Sequence, residues 1–180
     1  VETYISIVRG INVGGHRMIN MNALKKMCSE LNFTDIQTYV QSGNIVFKSK
    51  QTNIEKINAL IQLAIKKEFG FDVPVITMTQ GELEKTILLN PFIKNKSLDP
   101  SFFHVTFLSS EPTIEHREQL TGINLKNEKC ELSNRVIYLY CPDGYSNSKL
   151  TNSFFENRFQ TTATTRNWRT INELFKLAIH

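Results

Sequence analysis

Cysteine is scarce: Cys28, Cys130 and Cys141 are the only three, an odd number with no Cys-x-x-Cys spacing. Each lies in an apolar pattern, which argues against a disulfide scaffold or a thiolate zinc site. Buried, reduced thiols in a cytoplasmic protein are the expectation. His16, His104, His116 and His180 stand at no ligand-like spacing to cysteine or carboxylate, so no metal site is expected. No apolar run approaches the ~20 residues of a membrane span. The first strand also lacks the basic flank of a signal peptide, so neither membrane nor export is expected. Long basic runs are missing too. The 21 Lys and Arg residues are dispersed among 17 Asp and Glu, and the net charge of +4 favours anionic partners only through its sign. Lys25-Lys26 and Lys66-Lys67 fall on helical patterns, where a solvated helix face accounts for them, and no nucleic-acid arm is visible.

What is present is an ordinary apolar content, 41% of 180 residues, enough for one large domain or two small ones. The first half reads strand, helix, strand, strand, helix, strand. Strands are expected at 3–8, 36–41, 44–48 and 73–77, with Ser42-Gly43 as a two-residue hairpin turn. Met21, Leu24, Cys28 and Leu31 give a first helix capped by Asn20. Ile54, Ile57, Ile61, Ala64 and Ile65 give a second that stops at Gly70. Thr79 and Glu82 have capping-box spacing and open a linking helix that ends before Pro91. The second half repeats the order: a strand through Phe103, Val105 and Phe107, a short helix from Pro112, and a hairpin over 129–141. A polar loop, a helix over 149–158, a strand near 160–164 and a final helix from Asn167 follow.

This order defines the expected fold: α+β, two tandem ferredoxin-like (βαββαβ) units with antiparallel sheets, plus a linking helix and a C-terminal helix. The expected boundaries are 1–78, 79–98 and 99–180. Strand direction then places the loops. The first two strands run the same way, so loop 9–19 should meet turn 41–44. The third and fourth strands of the second half share a direction, so 142–149 should meet 164–168. Two polar edges are expected.

Arg9-Gly10-Ile11-Asn12-Val13-Gly14-Gly15, Thr38-Tyr39-Val40-Gln41-Ser42-Gly43-Asn44-Ile45-Val46-Phe47 and Thr165-Arg166-Asn167-Trp168-Arg169-Thr170 resemble the signature blocks of the bacterial family called domain of unknown function 1697. Ser148-Lys149-Leu150 resembles the family's short serine-lysine element before its penultimate helix. The resemblance covers nearly the whole chain, in order, and implies a pair of ferredoxin-like units. It implies no activity. His16-Arg17-Met18-Ile19 departs from the lysine or other polar residue usual after the double glycine.

Candidate site residues follow from chemistry. Gly14 and Gly15 permit positive φ and close backbone approach, so that loop N–H groups can face an anion. Arg9 offers a bidentate charged contact, and Asn12 donates and accepts. The loop lacks the terminal Lys-Ser/Thr of a P-loop and the third glycine of a dinucleotide fingerprint, which excludes P-loop hydrolysis. Gln41 and Asn44 are amides suited to a base edge or carbonyl, while Ser42 and Gly43 satisfy turn geometry by themselves. Arg166 and Asn167 precede a helix, with Asn167 as its cap and Trp168 as a core anchor on the stripe Ile171, Phe175, Ala178. Lys149 reads as a surface lysine, because adjacent Ser148 and Lys149 do not converge as a nucleophile pair. The expected function is binding of an anionic small molecule or nucleotide at the 9–19/41–44 edge. Nucleic acid ranks behind it, since the RNA-binding aromatic run is absent. An enzyme acting on an anionic metabolite and a structural or protein-interaction module are the alternatives. No cofactor is expected, and oligomeric state stays open.

Overall fold

A computed structural model describes residues 1–180. The fold is mixed α+β, with two four-stranded antiparallel sheets and six α-helices. The first sheet contains β1 (Glu2–Val8), β2 (Thr34–Tyr39), β3 (Asn44–Ser49) and β4 (Val75–Thr79) in the order β2-β3-β1-β4. Its helices are α1 (Met21–Glu30) and α2 (Ile54–Phe69), and α3 (Gln80–Leu88) follows β4. The second sheet contains β5 (Phe103–Leu108), β6 (Lys129–Ser133), β7 (Val136–Tyr140) and β8 (Ala163–Asn167) in the order β6-β7-β5-β8. Helices α4 (Ile114–Glu118) and α5 (Asn152–Phe159) accompany it, and α6 (Trp168–Ala178) closes the chain. No helix is long and apolar enough to cross a membrane.

The helices begin where side chains satisfy their first N–H groups. Asn20 accepts from Asn22 and Ala23, and Asn53 accepts from Lys56. The capping box of α3 is reciprocal: Thr79 N donates to Glu82 at 2.8 Å and Glu82 N to the Thr79 hydroxyl at 3.1 Å. Gly70 ends α2 in the left-handed conformation, φ 77°. Leu24, Met27 and Cys28 of α1, with Ile57, Ile61 and Ile65 of α2, then bury their faces on Tyr4, Val8, Ile45 and Phe47. Phe47 stacks on Phe33 at 4.2 Å between ring centres. In the second unit Phe155 and Phe159 of α5 pack with Leu108, Ile137, Leu139 and Ala163.

The chain divides into two compact units, Val1–Lys85 with Asn172–His180, and Thr86–Ile171. This differs from the expected boundaries. One division falls inside α3, and the last turns of α6 cluster with the first unit. There Leu177 and Ala178 share a cleft with Val46, whose side of the sheet faces away from α1 and α2.

Other boundaries move for local reasons. Tyr39 pairs with Asn44, so the hairpin connection is the four residues 40–43 rather than Ser42-Gly43 alone. Pro74 lacks an N–H and offers only its carbonyl, which accepts from Arg9 at 3.0 Å, so β4 begins at Val75. Gln160 caps α5 at φ 51°, so β8 covers 163–167 and not 160–164.

The two units share several bonds at corresponding places, although no residue-level repeat is visible in the sequence. Val8 N donates to Gly43 O at 2.8 Å, and Leu108 N to Arg135 O at 2.9 Å. Arg9 N meets Pro74 O, and Ser109 N meets Thr162 O at 2.9 Å. At the centre of each sheet a hydroxyl pair bridges the middle strand and its outer neighbour. These are Ser6 with Thr77 at 2.6 Å and Thr106 with Thr165 at 2.7 Å. A buried hydroxyl costs stability when its partner is removed. We therefore expect Ser6→Ala to destabilise by about 1–3 kcal/mol. Combining it with Thr77→Val should cost less than the sum of the single changes, as measured by urea unfolding.

Candidate functional site

The expected meeting of loop 9–19 with turn 41–44 is present, and one side chain makes it. Asn12, with φ 54°, turns its carboxamide toward the backbone. Its Oδ1 accepts from Ile19 N at 2.7 Å, while its Nδ2 donates to Ile19 O at 3.0 Å and to Gln41 O at 2.6 Å. The first two bonds close the loop on itself, and the third ties it to the turn. Asn12 N donates to Arg17 O at 3.1 Å, and His16 N to Val13 O at 3.0 Å, forming a small ladder behind the tip.

The turn is pinned from its own side. Asn44 is fully buried, and its Nδ2 donates to Tyr39 O and to the Ser42 hydroxyl, each at 2.9 Å. Gly43 has φ 81°, and a Cβ there would stand 2.9 Å from Val8 Cβ and 2.9 Å from Ile11 Cδ1. Only glycine permits that approach. Val40 adopts φ 50° while about half exposed, an unfavourable conformation for a β-branched residue. The strain lies directly beside Gln41.

Gly14 and Gly15 are exposed at the tip, with φ 58° and 76°. Arg9 is half-buried at the root of the loop. The Arg17 guanidinium folds back over Gly10, where an added Cβ would lie 3.2 Å from its Nη1. Beside the loop is a cleft of about 460 Å³ lined by Met18, Ile19, Asn20, Met21, Asn22 and Gln41. Sequence reasoning singled out Gln41 for binding but not Met18, Met21 or Asn22. Their signal was the loop-to-helix junction at Asn20, which puts Met18 and Met21 on either side of the cap.

The second expected edge is also assembled. Tyr145, from the loop after β7, stacks on His104 at 4.8 Å with rings 21° apart, and His104 pairs with Asn167 across β5 and β8. Lys149 does not start a helix. Ser148 Oγ accepts from Leu150 N and Thr151 caps Phe154, so α5 begins at Asn152, and the Lys149 ammonium donates to Asn124 O. Arg166 lies in β8 rather than at a helix start, and its Nη1 donates to Thr165 O at 2.8 Å and to the Thr164 hydroxyl at 3.2 Å. Burial lowers its guanidinium to about 10, against the opposing influence of Tyr145, so it stays charged at neutral pH. Asn167 accepts from Thr170 N at 2.8 Å and so caps α6. Trp168 is half-buried, edge-on to Phe103 at 6.3 Å. Lys149, Arg166 and Asn167 thus all hold parts of their own unit, and none belongs to the unit that carries Asn12 and Gln41.

The cysteines carry no disulfide. Burial raises Cys28 and Cys130 to about 12 and Cys141 to about 11, so the thiols are protonated and unreactive at neutral pH.

The profile of the family described as "Protein of unknown function (DUF1697)" matches residues 1–138. The chain belongs to that family. Among solved structures, the conserved bacterial protein SP0830 from Streptococcus pneumoniae is similar to this DUF1697 chain with a TM-score of 0.77. The match covers 98% of each chain at 19% sequence identity, a likeness of fold. No curated protein matches the chain.

Two predictions follow from the geometry of this DUF1697 chain. Asn12→Asp keeps the acceptor but places carboxylate oxygen against the carbonyls of Ile19 and Gln41. It should lower stability by about 1–3 kcal/mol, with faster hydrogen exchange at Ile19 and without loss of the sheet signals. The second concerns acid. Burial holds His104 below its ordinary 6.5, only partly offset by its Nδ1 contact with Phe102 O. Between that lowered value and 6.5 the unfolded chain binds a proton that the folded chain refuses, so stability falls as pH drops through this window. His104→Phe retains a ring against Tyr145 and should flatten the decline in stability measured between about pH 8 and pH 5.

Proposed function

We propose that this chain is a pair of tandem ferredoxin-like units, the first of which binds an anionic small ligand at the edge formed by loop 9–19 and turn 41–44. The strand orders β2-β3-β1-β4 and β6-β7-β5-β8, each built from a βαββαβ run, support the fold reading. The cleft beside the loop carries the functional one. Its walls are Met18 and Ile19 at the end of the loop, Asn20, Met21 and Asn22 at the start of α1, and Gln41 of the turn, and the Asn12 clamp joins the loop to that turn.

Rigid loops on a sheet edge are where binding residues concentrate. In this reading Arg9 and Arg17 supply positive charge, and Gly14 and Gly15 supply backbone approach. Gln41 supplies a directed amide, while Asn12, Ser42 and Asn44 hold the frame. The function proposed is binding in the cytoplasm. Free cysteines throughout are consistent with that compartment.

A thermal-shift screen of inorganic phosphate, sugar phosphates and nucleotides tests the proposal. A ligand present at about 100 times its Kd stabilises the folded state by about 2.7 kcal/mol. The expected result is a rise in Tm with at least one anion, lost in Arg9→Gln and Arg17→Gln. A screen without any shift, or a shift that survives both substitutions, overturns it.

A further inference from the structure

We infer that the anion bound at this edge is a nucleoside phosphate, with its base in the cleft and its phosphate on the adjoining glycine and arginine loop. The inference rests on the binding function proposed above and names the ligand class.

The cleft and the loop differ in chemistry. No side chain around the cleft carries a charge. The basic groups lie just outside it, in His16 and Arg17 immediately before Met18. A bare phosphate or a small dicarboxylate finds no counter-charge in such a cleft. A ligand with a neutral, polar, flat body and an anionic tail suits both parts.

The neutral part has the groups a base requires. Met18 is 58% exposed, so its thioether is open to a ligand, and Met21 stands on the other side of the cap. Thioethers pack well against aromatic rings. Gln41 presents a donor and an acceptor in one plane, the arrangement that pairs with a base edge. Its backbone is held on both sides, by the Asn12 bond to its carbonyl and by Val40 in its left-handed conformation. Asn20 commits its oxygen to Asn22 N and Ala23 N, so the donor this exposed side chain can offer a ligand is its amide NH2.

The charged part is separate and open. A Cβ at Gly15 would meet nothing within 4 Å, which shows space for a phosphate beside the backbone. Arg17 of the same loop supplies a guanidinium, which rests over Gly10 at the loop's root.

The test is titration of the full chain, isotope-labelled for NMR, with the four nucleoside monophosphates and with ribose 5-phosphate. We expect at least one nucleoside monophosphate to bind at least about tenfold more tightly than ribose 5-phosphate. It should shift both the amides of residues 14–17 and the side-chain NH2 of Gln41. Gln41→Leu, a change at an exposed side chain, should abolish that advantage. Equal binding of ribose 5-phosphate and every nucleotide, with shifts confined to residues 14–17, overturns the base assignment while the anion site stands. Silence at all of these residues with every probe overturns the edge as a binding site.

Discussion

The carboxamide of Asn12 is the constraint on which the first unit's edge depends. Loop 9–19 is long, glycine-rich and exposed, so left to itself it has many conformations. Three hydrogen bonds from one side chain remove that freedom, two by closing the loop and one by tying it to Gln41. The tie works because the turn is itself immobilised. Val8 donates to Gly43, Gly43 packs without a side chain against Val8 and Ile11, and buried Asn44 holds Tyr39 and Ser42. Amide groups that look like ligand contacts in the sequence are here internal fasteners. Their effect is positional: they fix Ile19 and Gln41 at the cleft and leave the tip glycines, Gly14 and Gly15, exposed.

The two units share a skeleton and differ in what is attached to it. The same backbone pins recur at Val8 and Leu108, and at Arg9 and Ser109, and the same hydroxyl pairs cross the central strands. After β1, however, the chain makes the glycine loop. After β5 it passes through Ser109 and Ser110, whose hydroxyls bond to Thr161, before a five-residue helix. The elaborated edges also lie at opposite ends of the sheets. The first unit's edge follows β1, whereas Tyr145, His104 and Asn167 gather where β5 begins. A common scaffold with unlike loops is the usual route by which one fold carries separate roles.

Much of this was legible in the residues. Caps are local chemistry, so Asn20, the Thr79 and Glu82 pair, and Gly70 marked helix ends correctly. Strand direction predicted that loop 9–19 would meet 41–44, because parallel strands must end together. Errors arose where a side chain or backbone group had two available uses. Ser148 and Thr151 each make local bonds that delay α5 to Asn152, and Gln160 serves as a left-handed cap rather than as the start of β8. Asn12 had a similar choice between ligand and backbone, and nothing nearby in sequence discloses which it takes.

The sequence by itself determined the element order, the family, the apolar faces and the convergence of the glycine loop with the turn. Periodicity, caps and strand direction act over short stretches and need no knowledge of the rest of the chain. Only the tertiary structure decided the partners of Asn12, Asn44 and Arg166, the clearance at Gly43, the strain at Val40 and the neutral lining of the cleft. Those properties depend on which distant backbone group arrives within hydrogen-bond or van der Waals distance, and that is settled only when the sheets close.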